Sequence, residues 1–381
     1  MIEALSEKLK QLSPELAKSI TISQEEMLWL RNASGKDLYH IACRELGLDP
    51  VVVPYPFDPA WTAIDLGNVR HADLAEALVG VFPTGTSMAE TLADQIQLCR
   101  AFANSNTVTE QLTEVVVEVI RKFPTCANDL RLGRNAGDVL DPFILSANYE
   151  LLSGRDLPKT IEATATHKIL MKIEDLLGNL HQSVIGAMRG NFRIPEPQGK
   201  SGDKETLDPI HNPFPGADVG QVPTSEEPNR LRLFQVKSKT GSAKGGDGKR
   251  LGEQLRHLEQ TYGAQTFYAA VVGNTLRGHR SKSAVLKASP ETVVIVGETA
   301  LAEMTLSSVG GELLLRVYQR AFRAAAEVVG YSFEAVVEEV ALVFQREAIE
   351  HGEDFLTAWL HHAIDGPASE QDSRSSIDAS S

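Results

Sequence analysis

The stretch LFQVKSKTGSAKGGDGKR, residues 233 to 250, decides which fold the rest of the chain has to complete. Its first residues are apolar and favour a strand, its middle is rich in Gly and Lys, and the helix-like segment RLGEQLRHLEQTYG follows. This order of strand, Gly-rich loop and helix is typical of a nucleotide-binding P-loop. It is equally the layout of a nuclease strand that leaves a metal centre, so the residues of the loop have to separate the two.

The P-loop interpretation fails on its fixed positions. Such a loop has the pattern G-x-x-x-x-G-K-[ST], in which backbone amides and the Lys hold phosphates and the hydroxyl holds Mg²⁺. With Gly248 and Lys249 aligned to the G-K pair, Ala243 stands where the first Gly belongs and Arg250 where the hydroxyl belongs. Half of the pattern is therefore missing, and the sequence argues against a nucleotide hydrolase.

The nuclease interpretation finds its residues at the required spacing. Gln235 and Lys237 lie two apart on the predicted strand and share a face, while Phe234 and Val236 point to the other. Asp218 precedes Gln235 by 17 residues, at the end of the segment NPFPGADVG. Oxygen ligands suit Mg²⁺, and a Lys can stabilise charge that develops on a phosphate. We therefore predict a site of Asp218, Gln235 and Lys237, with the Val236 carbonyl as a further metal ligand.

These positions resemble the motif of the PD-(D/E)xK nuclease superfamily and, within it, of the type II restriction endonucleases. The family has an acidic residue after a Pro-containing turn, then a strand that carries (D/E)-x-K. Here Pro215-Gly-Ala-Asp218 and Gln235-Val-Lys237 occupy those places. Two residues separate Pro215 from Asp218, and Gln235 replaces the second acidic residue, as it does in some restriction enzymes. The resemblance covers residues from about 160 to 300.

The resemblance implies an α/β protein with a restriction-endonuclease-like core, a central mixed β-sheet flanked by helices. It implies Mg²⁺-dependent, sequence-specific hydrolysis of phosphodiester bonds in double-stranded DNA by a homodimer. A bacterial cytoplasmic location and a companion DNA methyltransferase belong to the same expectation. In this family an upstream helix often supplies a Glu to the metal, for which Glu174 is our first candidate and Glu162 our second.

Charge distribution supports an anionic partner. Residues 229 to 282 contain 11 Lys and Arg against 3 Asp and Glu, a balance of +8 within a chain of net charge −14. Such a segment is typical of a phosphate-facing surface, although a solvated basic surface is an equal alternative. We predict phosphate contacts after the first strand at Lys239, Lys244, Lys249 and Arg250. We assign base-edge contacts, or phosphate contacts alone, to Asn274, Arg277, His279, Arg280 and Lys282.

The remaining patterns place the core within the chain. Residues 1–150 are predicted to be mainly helical, 151–300 to form the catalytic core with a Pro-rich loop at 195–228, 301–365 to be helical, and 366–381 to be a disordered tail. LRLFQVKS, TFYAAVVGN and TVVIVG are predicted strands in a β-α-β order. Three separated cysteines and the lack of a membrane-length apolar run favour a reduced, cytoplasmic protein.

Two other functions remain open on the sequence. A junction or repair nuclease that recognises DNA structure would use the same residues, but such proteins are usually smaller. A non-catalytic DNA-binding protein is the alternative that Gln235 supports, because a neutral amide oxygen is a weaker metal ligand than a carboxylate.

Overall fold

The computed structural model describes residues 13–82, 86–121, 142–195, 213–223, 230–239, 247–273 and 280–329, together with residues 338, 341, 342 and 345. The chain divides into two compact units. The first comprises Met1–Leu112 and Leu177–Ala321, and the second comprises Thr113–Leu176 and Phe322–Ser381. The sheet and the predicted catalytic strand belong to the first unit. Within the described residues, no helix is both long and apolar enough to cross a bilayer.

The helices before the sheet fill most of the chain up to residue 186. They are α1 Pro14–Asn32, α2 Gly35–Glu45, α3 Ala63–Gly67, α4 His71–Val79, α5 Thr86–Ala101, α6 Ser105–Arg121, α7 Pro142–Leu151 and α8 Leu157–Gly186. The later helices are α9 Asp247–Tyr262, α10 Arg280–Ala288, α11 Glu298–Thr305 and α12 Gly310–Val329. The upstream helix expected to carry Glu174 and Glu162 is present as α8.

The described strands form one mixed five-stranded sheet in the order β1-β2-β3-β4-β5. They are β1 Asn191–Arg193, β2 Val219–Gln221, β3 Arg232–Lys239, β4 Gln265–Val272 and β5 Val293–Val296. The pairs β1–β2 and β2–β3 are antiparallel, whereas the pairs β3–β4 and β4–β5 are parallel. Helices α9 and α10 connect the parallel strands, as parallel pairs require. The predicted α/β class, with a mixed sheet flanked by helices, is confirmed; β1 and β2 were not predicted.

Each face of the sheet has its own packing because side chains alternate along β3. Leu233 lies in the core cluster with the α9 residues Leu251, Leu255 and Leu258. On the opposite face Phe234 stacks on Phe267 of β4, with ring centroids 4.5 Å apart. Gln235 and Lys237 share the face of Leu233, which we call the α9 face.

Helices α9 and α10 pack closely because Gly252 lacks a side chain. A Cβ on Gly252 would lie 2.7 Å from the Ala288 Cβ and 2.7 Å from the Val285 carbonyl oxygen. Neither contact is tolerated by real side chains, since 2.7 Å is well inside van der Waals distance. The two helices that follow β3 and β4 therefore cover the sheet as one tightly packed pair.

The N-terminal helices belong to the same unit as the sheet. Leu16 and Ile20 of α1 lie in the core cluster that contains Phe192 and Ile194 at β1. Arg100 of α5 is fully buried, and its guanidinium donates to the carbonyls of Thr305 and Leu306 at the end of α11. Burial lowers the pKa of Arg100 to about 10. These contacts join the helical layer to the elements around the sheet.

Candidate active site

A tight turn delivers Asp218 to the sheet. Phe214–Pro215–Gly216–Ala217 has the sequence of a type II turn, with Pro second and Gly third. Gly216 has φ 83°, and the Ala217 amide donates to the Phe214 carbonyl at 3.2 Å. A Cβ on Gly216 would lie 2.9 Å from the Cβ of Gln254, so both conformation and space favour Gly. Asp218 follows this turn directly, which explains why its Pro is three positions upstream.

Helix α9 contacts the turn through its last residue. Phe214 is fully buried and meets the ring of Tyr262 edge-on, with centroids 5.2 Å apart. The Tyr262 hydroxyl donates to the Pro213 carbonyl at 3.2 Å. The last residue of α9 therefore fixes the turn by a ring contact and a hydrogen bond. Burial of Tyr262 also raises the pKa of its hydroxyl.

Asp218 ends the ladder between β2 and β3. The pairing of Val219 with Phe234 places Asp218 opposite Gln235. The Asp218 amide donates to the Phe234 carbonyl at 2.8 Å, and its Oδ2 accepts from the Val236 amide at 2.7 Å. The same Oδ2 accepts from Nε2 of Gln235. The structure therefore brings together Asp218, Gln235 and Val236, as the motif predicts.

The Val236 carbonyl extends this arrangement. In a strand the N–H and C=O of one residue point to the same neighbouring strand. Because the Val236 amide points to Asp218, its carbonyl also points to the β2 side, where β2 has already ended. An oxygen in this position lies on the same side of β3 as Asp218.

Lys237 completes the predicted set on β3. It is half-buried and shares the α9 face with Gln235. On one side it is in register with Ala270 of β4, whereas β2 does not extend beside it. Its ammonium group is thus carried by a rigid central strand at the point where that strand loses one neighbour.

The residues present fit a hard divalent cation. Asp218 supplies a carboxylate, Gln235 an amide oxygen and Val236 a carbonyl, and all three are ligand types that Mg²⁺ accepts. No residue that the structure describes donates a hydrogen bond to Oε1 of Gln235. Among the same residues, no cluster of three or more His, Cys, Asp and Glu could hold a metal. Two of the three candidate oxygen ligands are instead an amide oxygen, of Gln235, and a backbone carbonyl, of Val236.

The acidic residues predicted to complete the site stay predictions. Glu174 and Glu162 are both exposed on α8, in the part of that helix that belongs to the second unit. Within the first unit, the α8 residue Gly178 approaches Ser238 of β3, and a Cβ on Gly178 would lie 3.4 Å from the Ser238 hydroxyl.

The predicted DNA contacts are described in part. Lys249 and Arg250 are exposed on the first turn of α9, and the Lys249 ammonium lies 3.6 Å from a Glu253 carboxylate oxygen. Lys282 is half-buried on α10. Lys244, Asn274, Arg277 and His279 lie outside the described residues, as do the side chains of Lys239 and Arg280.

The backbone nevertheless places the two segments that carry the predicted DNA contacts, which we call the cationic segments, next to each other. Lys239 is in register with Val272, and β3 and β4 run parallel. The chain therefore leaves both strands at neighbouring positions on one edge of the sheet, immediately before residues 240–246 and 274–279.

The residues that sequence reasoning missed are those that hold Asp218 in place: Phe214, Gly216 and Tyr262. The Pro-Gly dipeptide was a usable signal, since it predicts a type II turn by itself. The contact with Tyr262 had no such signal, because it joins positions 49 residues apart.

No model of a protein family matches the chain, and a comparison with curated proteins finds no match either.

Proposed function

We propose that this protein is a Mg²⁺-dependent, sequence-specific endonuclease of double-stranded DNA, similar to the type II restriction enzymes and built on a PD-(D/E)xK-like core. The observation that carries the proposal is the meeting of Asp218 and Gln235 across the end of the β2–β3 ladder, with Lys237 on the same face. Two segments 17 residues apart in sequence converge as the motif requires. The mixed sheet and its flanking helices agree with such a core.

In this proposal each residue has a defined task. Asp218, Gln235 and the Val236 carbonyl hold the ion, and Glu174 is the further acid to be tested. A bound divalent cation lowers the pKa of a water molecule and neutralises charge on the phosphate. Lys237 places a positive charge beside the same phosphate, where it stabilises the negative charge of the transition state. Its position on a central strand fixes the backbone that carries this charge.

The polyanionic substrate is supported by the position of the cationic segments. One segment follows the end of β3 and the other follows the end of β4, and these two strand ends are neighbours in the sheet. Lys237 lies two residues before the end of β3. Lys249, Arg250 and Arg256 add exposed cations along α9. Phosphate contacts of this kind give affinity that falls steeply with salt. Cleavage of both strands at one site further implies a homodimer, and a companion methyltransferase in the same cytoplasm would protect the host DNA.

The test is digestion of bacteriophage λ DNA with and without Mg²⁺. We expect discrete fragments that require the metal. Asp218→Asn and Lys237→Ala should each reduce the cleavage rate by about a thousandfold or more, since each removes a charge at the reacting phosphate. Lys36→Ala, at an exposed position on α2, is the matched control and should cut normally.

Other outcomes assign other functions. A smear would mean hydrolysis without sequence recognition, and cutting of branched DNA alone would indicate a structure-specific nuclease. Retained DNA binding with no cleavage under Mg²⁺ or Mn²⁺ would contradict the proposal. It would favour a non-catalytic DNA-binding protein, the alternative that the weaker amide ligand of Gln235 supports.

A further inference from the structure

The side chain of Gln235 is in an unusual position for a metal ligand. It is only 7% exposed, and its nitrogen, not its oxygen, faces the Asp218 carboxylate. Oδ2 of Asp218 accepts this bond together with the Val236 amide bond, so two donors of β3 hold one oxygen of the carboxylate. Buried amides normally use both ends. Here the donor end is used, while no described residue donates to the oxygen end.

A carboxylate at position 235 could not make this contact. Two adjacent carboxylates would repel one another without a cation, whereas an amide donates a proton to its neighbour. The two ends of an amide have nearly the same size, and a half-turn about the last side-chain bond exchanges them. The same Gln can therefore serve a site with a cation and a site without one.

We propose that Gln235 holds Asp218 through its nitrogen in the metal-free protein and turns its oxygen toward the divalent cation when the metal is bound. The inference rests on the proposed function only in that Asp218 binds such a cation. Gln235 is then a positioning residue in one state and a ligand in the other. The replacement of the second acid is, on this view, a device that keeps Asp218 in place while the site is empty.

Two substitutions separate these roles. Gln235→Glu removes the donor and supplies a stronger, charged ligand. Gln235→Met keeps the length of the side chain and removes both donor and ligand. Both should lower the temperature of unfolding in EDTA. Their effects on Mg²⁺ affinity, measured by titration calorimetry, should be opposite: about tenfold tighter for Gln235→Glu and about tenfold weaker for Gln235→Met.

Gln260→Glu, at an exposed position on α9, is the matched charge control and should change neither quantity. A side-chain readout comes from NMR of protein labelled with ¹⁵N-glutamine, in which the Gln235 amide is assigned by its loss from the variants. Its hydrogen-bonded proton signal in EDTA should shift on saturation with Mg²⁺.

The inference is overturned if Gln235→Glu keeps wild-type stability in EDTA and wild-type Mg²⁺ affinity, or if the Gln235 amide signal does not change with metal. Wild-type protein that binds no Mg²⁺ would remove this inference and the proposed function together. Metal binding with the expected amide change but without DNA cleavage would leave the inference standing and remove only the nuclease.

Discussion

Polar side chains have many mutual hydrogen bonds at one end of the β2–β3 pairing and few at the other. At one end Arg232 bonds to Gln221, to Glu303 and to Gln265, and its guanidinium lies 4.7 Å from the centroid of the Phe267 ring. Gln221 in turn donates to the Asn191 side-chain oxygen at 2.9 Å. At the other end, three residues along β3, Gln235 bonds to Asp218 through its nitrogen alone.

The difference shows how polar groups that stabilise a sheet can be distinguished from polar groups that are candidates for a functional site. The Arg232 cluster lies on the face opposite α9 and is closed, because its charges and amides satisfy one another. Such a network rigidifies a core. The Asp218 end has a carboxylate, an amide oxygen and a backbone carbonyl at the edge where β2 stops. In the proposed function these oxygen atoms hold the divalent cation.

The largest loss of stability should come from a substitution that disrupts the Arg232 cluster. Arg232→Met leaves the buried Gln221 oxygen without its donor and Glu303 without its counter-charge, and we expect a loss of about 3 kcal/mol. Urea unfolding measures this loss, with Lys287→Met at an exposed position of α10 as control. Mg²⁺ affinity at low temperature should be unchanged. A large change in affinity with little loss of stability would show that the two ends are not separable.

A smaller effect should follow from a change to the turn before Asp218. Gly216→Ala forces a side chain into φ 83° and against Gln254, and should cost about 2 kcal/mol. Gly47→Ala is a matched control, since Gly47 has φ 70° with no atom near the added Cβ. It should cost about 1 kcal/mol from backbone strain alone. Only Gly216→Ala should also weaken Mg²⁺ binding, and equal Mg²⁺ affinities in the two variants would argue against a positioning role for the turn.

The smallest effect should come from Tyr262→Phe. This variant keeps the ring against Phe214 but removes the hydrogen bond to Pro213, at an expected cost of about 1 kcal/mol. The Mg²⁺ affinity should fall by less than about tenfold, because Asp218 is displaced only through the turn. Tyr55→Phe, whose hydroxyl bonds to an exposed carbonyl, is the control for stability. If it costs as much as Tyr262→Phe, burial of the Pro213 contact contributes nothing.

The sequence predicted the parts of this structure that carry long local patterns. β3, β4 and the helix between them have lengths and periodicities that can be read directly. β1 and β2 have three residues each, too few for a pattern, and they exist because β2 pairs with β3 and β1 pairs with β2. The meeting of Asp218 and Gln235 was predicted by the motif alone. The direction of their hydrogen bond was not, since it depends on which end of an amide faces a carboxylate in the folded chain.

The burial of Arg100 has a consequence for how the protein can be cut. Its guanidinium closes the end of α11, and Leu16 and Ile20 of α1 complete the core beside β1. A fragment that begins after residue 112 would contain every predicted catalytic residue and would still expose apolar surface and bare helix carbonyls. Protease nicking among the first hundred residues should therefore release insoluble material, not a small active nuclease, and deletion mapping would mistake a folding requirement for a catalytic one.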